Sequence, residues 1–122
     1  MQALGRHVLL DLKDCDVELL DDFAFVKDTL ITACRRVGAT ILDEAFHKFQ
    51  PQGVSGIVLI AESHISIHTW PENAYAAVDI FTCGVSLPAE EAVSFIIESF
   101  RSKNYSVVDL KRGAFVKERS RV

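Results

Sequence analysis

Residues 54–72 read Val-Ser-Gly-Ile-Val-Leu-Ile-Ala-Glu-Ser-His-Ile-Ser-Ile-His-Thr-Trp-Pro-Glu. The run Ile57-Val58-Leu59-Ile60 is too short for a helix between Gly56 and the break at Ser63, so Val54–Ala61 reads as a central strand. After the break, His64, Ser66 and His68 alternate with Ile65 and Ile67, the period of a strand with one face in a core. Two strands joined at Glu62-Ser63 are therefore expected. A hydroxyl, two imidazoles and Trp70 would be concentrated at one sheet end.

The flanking segments extend this pattern. Gly5–Leu12 reads as a first strand with His7, Leu9 and Asp11 on one face. Leu19, Phe23, Val26, Leu30, Ala33 and Val37 recur at steps of three and four, which predicts an amphipathic helix capped by Asp16 or Asp21. Arg35 and Arg36 suit its C-terminus and Gly38 its left-handed stop. Ala39–Phe49 reads as a strand, Gln50–Gly53 as a turn, Ile65–Trp70 and Tyr75–Cys83 as strands with Pro71-Glu72-Asn73 between the two. Pro88, with Ser86 as a cap, opens a second helix whose buried face is Ala92, Val93, Ile96, Ile97 and Phe100. Ser106–Leu110 is the last strand. The expected fold is α+β, a two-layer sandwich of a mostly antiparallel sheet with two helices on one face, as one domain over residues 1–122. Nothing remains to cover the other face, so two copies are expected to dimerise sheet to sheet in a four-layer α/β/β/α arrangement.

Composition excludes several classes of function. The net charge of −4 argues against a nucleic-acid platform. No apolar run reaches the ~18 residues of a membrane span, and no signal peptide precedes Asp11, so a cytoplasmic location is expected. The three cysteines are odd in number and lack a CxxC spacing, against both a disulfide framework and a thiolate zinc site. Cys34 lies at helical spacing and reads as core, whereas Cys83 ends a strand where a thiol is reachable. Lys111, Arg112, Lys117, Arg119 and Arg121 read as a solvated tail. His64 and His68 lie on one strand face, but no third ligand is evident beyond Asp79, so no metal is expected. His7 and His47 read as structural or surface residues.

A serine at a strained turn has a specific chemistry. Its hydroxyl can attack the preceding carbonyl, here that of Glu62, and convert the amide to an ester. A base then takes the Cα proton of Ser63 and β-elimination cuts the chain. The dehydroalanine left behind hydrolyses to a pyruvoyl group and ammonia. Ser55, on the paired strand, can supply a hydrogen bond. His68 can supply the base through its imidazole.

The string AESHISIHTWPE at 61–72, with LGRH at 4–7, VSG at 54–56 and FTCG at 81–84, closely resembles the S-adenosylmethionine decarboxylase proenzymes of bacteria and archaea. The resemblance runs from Gly5 to about Gly113. It implies self-cleavage between Glu62 and Ser63 into a β chain of residues 1–62 and an α chain of 63–122. The α chain would begin with a pyruvoyl group that binds the substrate amine as a Schiff base, so the cofactor is made from Ser63 itself. By the same resemblance Ser55 and His68 serve processing and Cys83 is the proton donor in decarboxylation. Phe49 and Trp70 would hold adenine, Glu72 the ribose hydroxyls, and the sites would be built from both protomers of a homodimer. The implied reaction yields the aminopropyl donor for spermidine biosynthesis.

Two other functions fit parts of this pattern. One keeps the pyruvoyl group and acts on a basic amino acid, arginine or ornithine. The other is an unprocessed binding or regulatory homologue. Phe49 with Trp70-Pro71-Glu72 favours a nucleoside substrate over the first, and the joint presence of Ser55, Ser63, His68 and Cys83 argues against the second.

Overall fold

The computed structural model describes residues 2–83 and 87–115. Six strands form one sheet in the order β2-β3-β4-β5-β1-β6, and every neighbouring pair is antiparallel. They are β1 (Gln2–Lys13), β2 (Ile41–Lys48), β3 (Val54–Ile60), β4 (Ser63–Trp70), β5 (Tyr75–Cys83) and β6 (Asn104–Phe115). Among the described residues three helices accompany them: the short α1 (Val17–Leu20), α2 (Phe23–Arg36) and α3 (Ala89–Ser99). The α+β sandwich expected from the pattern is present, with a single-turn α1 in addition.

The core lies between the helices and one sheet face. Val8, Leu10 and Leu12 of β1, Ile65 and Ile67 of β4 and Val78 and Ile80 of β5 pack with Val26 and Leu30 of α2 and Ile96 and Phe100, all at most 2% exposed. Phe25 of α2 meets Phe100 edge to face. Cys34 is buried among them, and burial pushes its thiol up to about 11, as suits an inert core residue.

Several local expectations need correction. The helix expected from Leu19 to Val37 is broken, because three nearby aspartates compete as caps. Asp16 caps α1, and Asp22 caps α2 by accepting from Phe25 N–H. Asp21 instead accepts from Gly53 N–H and pairs with Lys48, tying α1 to the turn after β2. Leu19 therefore belongs to α1, and Phe23 stays 37% exposed. Gly38 does adopt the left-handed stop, at φ +78°. Lys111 and Arg112 are not tail but part of β6. Lys117, Arg119, Arg121, the cap residue Ser86 and Gly84 of the FTCG string lie outside the described residues.

Thr69 joins the layers from inside. Its Oγ1 accepts from Val54 N–H at 2.9 Å and donates to Leu20 C=O at 2.8 Å. Thr69→Val keeps the shape and strands both backbone groups. We expect unfolding in urea to show a loss of roughly 2–6 kcal/mol, since each of the two orphaned buried groups costs about 1–3.

Alternation along the strands decides what faces away from the helices. That face carries His7 and Asp11 of β1, Ser55 and Leu59 of β3, and His64, Ser66, His68 and Trp70 of β4. Tyr75, Asp79, Phe81 and Cys83 of β5 complete it with Val108 and Leu110 of β6. Leu59, Trp70, Val108 and Leu110 are each 39–50% exposed there.

Candidate active site

Ala61 and Glu62 form a two-residue loop between β3 and β4, closed by the pairing of Ile60 with Ser63. The usual two-residue hairpin turns put positive φ at the first loop residue or at both. Here only the second has it, since Glu62 sits at φ +65°. A glutamate in the left-handed region costs roughly 1–2 kcal/mol. The strain therefore falls on the residue whose carbonyl precedes Ser63.

Ser63 is oriented from two sides. Its Oγ donates to the Glu62 carbonyl at 2.7 Å, and Cys83 N–H donates to that Oγ at 3.2 Å. The hydroxyl is thus held beside the peptide bond it would attack, at the end of β5 that carries the Cys83 thiol. Gly5 pairs with Cys83 across β1. A Cβ at Gly5 would lie 2.8 Å from Cζ of Phe81, so the glycine lets that ring lie across β1. Phe81 stacks on His64 at 5.8 Å, and His7 meets it edge-on at 5.6 Å. Arg112 Nη1 donates to His7 Nδ1 at 3.3 Å, which leaves the proton of a neutral imidazole on Nε2. That nitrogen is 3.8 Å from Asp79 Oδ1 and lacks a hydrogen-bond partner among the described residues.

A second cluster occupies the same face at the opposite end of β4. Ser55 Oγ and His68 Nδ1 are 2.7 Å apart, and the two residues are register partners. Next to them His47 meets Phe49 edge-on at 4.6 Å, and Trp70 lies 6.2 Å from His68. Trp70 and Phe49 are 39% and 45% exposed, and Glu72 is exposed in the 3-10 turn Pro71–Asn73. Phe49, Trp70 and Glu72, the substrate-binding candidates, are thus all exposed.

The two clusters do not meet within one chain. Ser63 and His68 lie five residues apart on one extended strand, which puts them roughly 16 Å apart at ~3.3 Å per residue. The expectation that hydroxyl, imidazoles and tryptophan gather at one sheet end therefore holds for the shared face but not for the shared end. Among the described residues no group of three metal-ligating side chains is present. Among the described residues no helix is long and apolar enough to cross a membrane.

Sequence reasoning missed Phe81, which packs between His64 and His7, and the bond from Tyr75 Oη to Asp11 Oδ1 at 2.6 Å. The alternation of β5 was the available signal for Phe81. The partner of Tyr75 lies 64 residues away in sequence, so only the register of β1 on β5 reveals it.

The family model for S-adenosylmethionine decarboxylase matches residues 6–113. A protein of Thermodesulfovibrio yellowstonii named S-adenosylmethionine decarboxylase proenzyme is 51% identical over 93% of this chain and 84% of its own length. One of the same name from Caldanaerobacter subterraneus subsp. tengcongensis is 47% identical over 96% of this chain and 94% of its own. The crystal structure of the adenosylmethionine decarboxylase from Aquifex aeolicus superposes with a TM-score of 0.88 at 35% identity, covering 96% of this chain and 97% of that one. The AdoMetDC monomer of Trypanosoma brucei shares the fold, with a TM-score of 0.66 at 13% identity over 85% of this chain and 45% of that one. With a family match across nearly its whole length and the strained Glu62-Ser63 turn at the matching string, this chain belongs to the S-adenosylmethionine decarboxylase family.

Proposed function

We propose that the chain is the precursor of a pyruvoyl-dependent decarboxylase that acts on S-adenosylmethionine and cleaves itself between Glu62 and Ser63. The observation that carries this is the Ser63 hydroxyl 2.7 Å from the carbonyl oxygen of a left-handed Glu62. Attack of Oγ on the Glu62 carbonyl carbon breaks the C–N bond and forms an ester, releasing the backbone strain. Cys83 N–H, already on Oγ, favours the anionic form of the oxygen as its proton leaves. A base removes the Cα proton of Ser63, and the Glu62 carboxylate departs as the new C-terminus of residues 1–62. The double bond left on residue 63 takes up water and releases ammonia, leaving the ketone of a pyruvoyl group.

The base is supplied by the second copy. Ser63 with Cys83 and His68 with Ser55 sit at opposite ends of one face. A two-fold axis between two such faces, running across the strands, sets the Ser63 end of each sheet over the His68 end of the other. Each of the two sites then combines Ser63 and Cys83 of one protomer with Ser55, His68, Phe49, Trp70 and Glu72 of its partner. The exposed Leu59, Val108 and Leu110 supply apolar surface for such a contact.

Once formed at residue 63, beside Cys83, the pyruvoyl group would supply the electron sink that decarboxylation needs. The chain's own groups do the rest. Phe49 and Trp70 stack on adenine, and Glu72 accepts from the ribose hydroxyls. The Cys83 thiol returns a proton to the α-carbon. Delivery to the wrong carbon would consume the pyruvoyl group, so the position of this thiol matters.

Denaturing intact mass of the purified protein tests the cleavage. Two chains split after Glu62, the second lighter by one ammonia than its sequence, are expected; a single full-length chain would overturn the reading. Cys83→Ala is expected to cleave, since its backbone N–H remains. Its decarboxylation should fall about 100-fold or more, the usual size of a lost proton-transfer group.

A further inference from the structure

The hairpin between β4 and β5 carries the chain's single tryptophan. Trp70 and Tyr75 are register partners across it, with ring centroids 5.3 Å apart and planes inclined by 32°. The Tyr75 hydroxyl reaches diagonally to β1, where Asp11 stands opposite the small Ala77 and accepts its hydrogen bond at 2.6 Å. The bond to Asp11, with burial, pushes the phenol up to about 12, so it remains a donor at any working pH. Trp70 is 39% exposed. An indole so open to solvent has few contacts to choose among its rotamers, and the Tyr75 ring is one packed surface against it.

We propose that Tyr75, anchored by Asp11, is the positioning residue of the nucleoside platform: it holds the Trp70 indole at the tilt on which adenine stacks. This rests on the assignment of Trp70 to adenine made above. Asp11 and Tyr75 are assigned to the platform and not to the chemistry, so their effect is expected on substrate binding rather than on the chemical step. A cross-strand aromatic pair that merely stabilises its hairpin would change melting temperature and nothing else.

The test compares Tyr75→Leu, Tyr75→Phe, Asp11→Asn, the double variant Asp11→Asn/Tyr75→Phe and Trp70→Leu in the processed enzyme, with rates normalised to the fraction cleaved. Tyr75→Leu should raise KM for S-adenosylmethionine about tenfold with kcat within about twofold, as for a lost aromatic stack. It should also shift the emission of Trp70, the sole tryptophan reporter. Tyr75→Phe, which keeps the ring and remains informative if the leucine variant does not fold, should raise KM about threefold. Asp11→Asn should do the same, and the double variant should do no more than either alone, because both remove one interaction. If Trp70→Leu raises KM while the Tyr75 variants leave KM and emission unchanged, the proposal falls and the adenine assignment stands. If Trp70→Leu leaves KM unchanged, the adenine assignment itself falls. A fall in kcat at constant KM in the Tyr75 variants would also overturn the proposal.

Discussion

Ser63→Ala is expected to leave one uncut chain of 122 residues without measurable decarboxylase activity. The substitution removes the Oγ that is placed to attack the Glu62 carbonyl, 2.7 Å from the carbonyl oxygen. It equally removes the carbon skeleton's route to a ketone, because alanine has no leaving group on Cβ. Both losses are absolute rather than graded, so activity should drop to the assay floor. The fold should survive. Ser63 is only partly buried, and its two hydrogen bonds lie at a loop, so the change in stability should stay within about 1 kcal/mol. Intact mass together with a thermal melt separates the cases. A folded, uncut and inactive protein agrees with the pyruvoyl mechanism. A folded Ser63→Ala protein that still turns over substrate would end it.

The alternation in residues 63–70 was enough to sort side chains between core and open face, because strand parity depends only on sequence position. Tyr75–Cys83 was legible end to end for the same reason, being bounded by a proline turn and a following glycine. Helix starts were not. Asp16, Asp21 and Asp22 are all chemically able to cap, and only the tertiary demand of Gly53 and Lys48 on Asp21 decides which ones do. The candidate site could be read from sequence as a list of residues and not as an arrangement. Ser63, His68 and Cys83 are all where the motif string puts them, yet five extended residues between Ser63 and His68 keep them apart. That distance follows from the strand reading itself, through the rise per residue. The cross-strand partners that build the far cluster do not, since register needs the whole sheet.

This separation leads to the second large effect. When Ser63→Ala and His68→Ala chains are produced together, cleavage should return, although neither cleaves alone. In the first homodimer both sites lack the hydroxyl, and in the second both lack the base. A mixed dimer holds one dead site, with both substitutions, and one intact site. The intact one joins Ser63 of the His68→Ala chain to His68 of the Ser63→Ala chain. With random pairing by an isologous interface, half of the dimers are mixed, so about half of the His68→Ala chains and none of the Ser63→Ala chains should be cut. A differential tag on each chain lets intact mass assign the fragments, and size exclusion verifies that mixed dimers form. Formed mixed dimers without cleavage would mean that His68 does not act across the interface. Cleavage by His68→Ala alone would mean that the base is another group. The strand geometry excludes direct proton transfer from Ser63 to His68 in the same chain, because an imidazole about 16 Å away cannot reach that Cα proton.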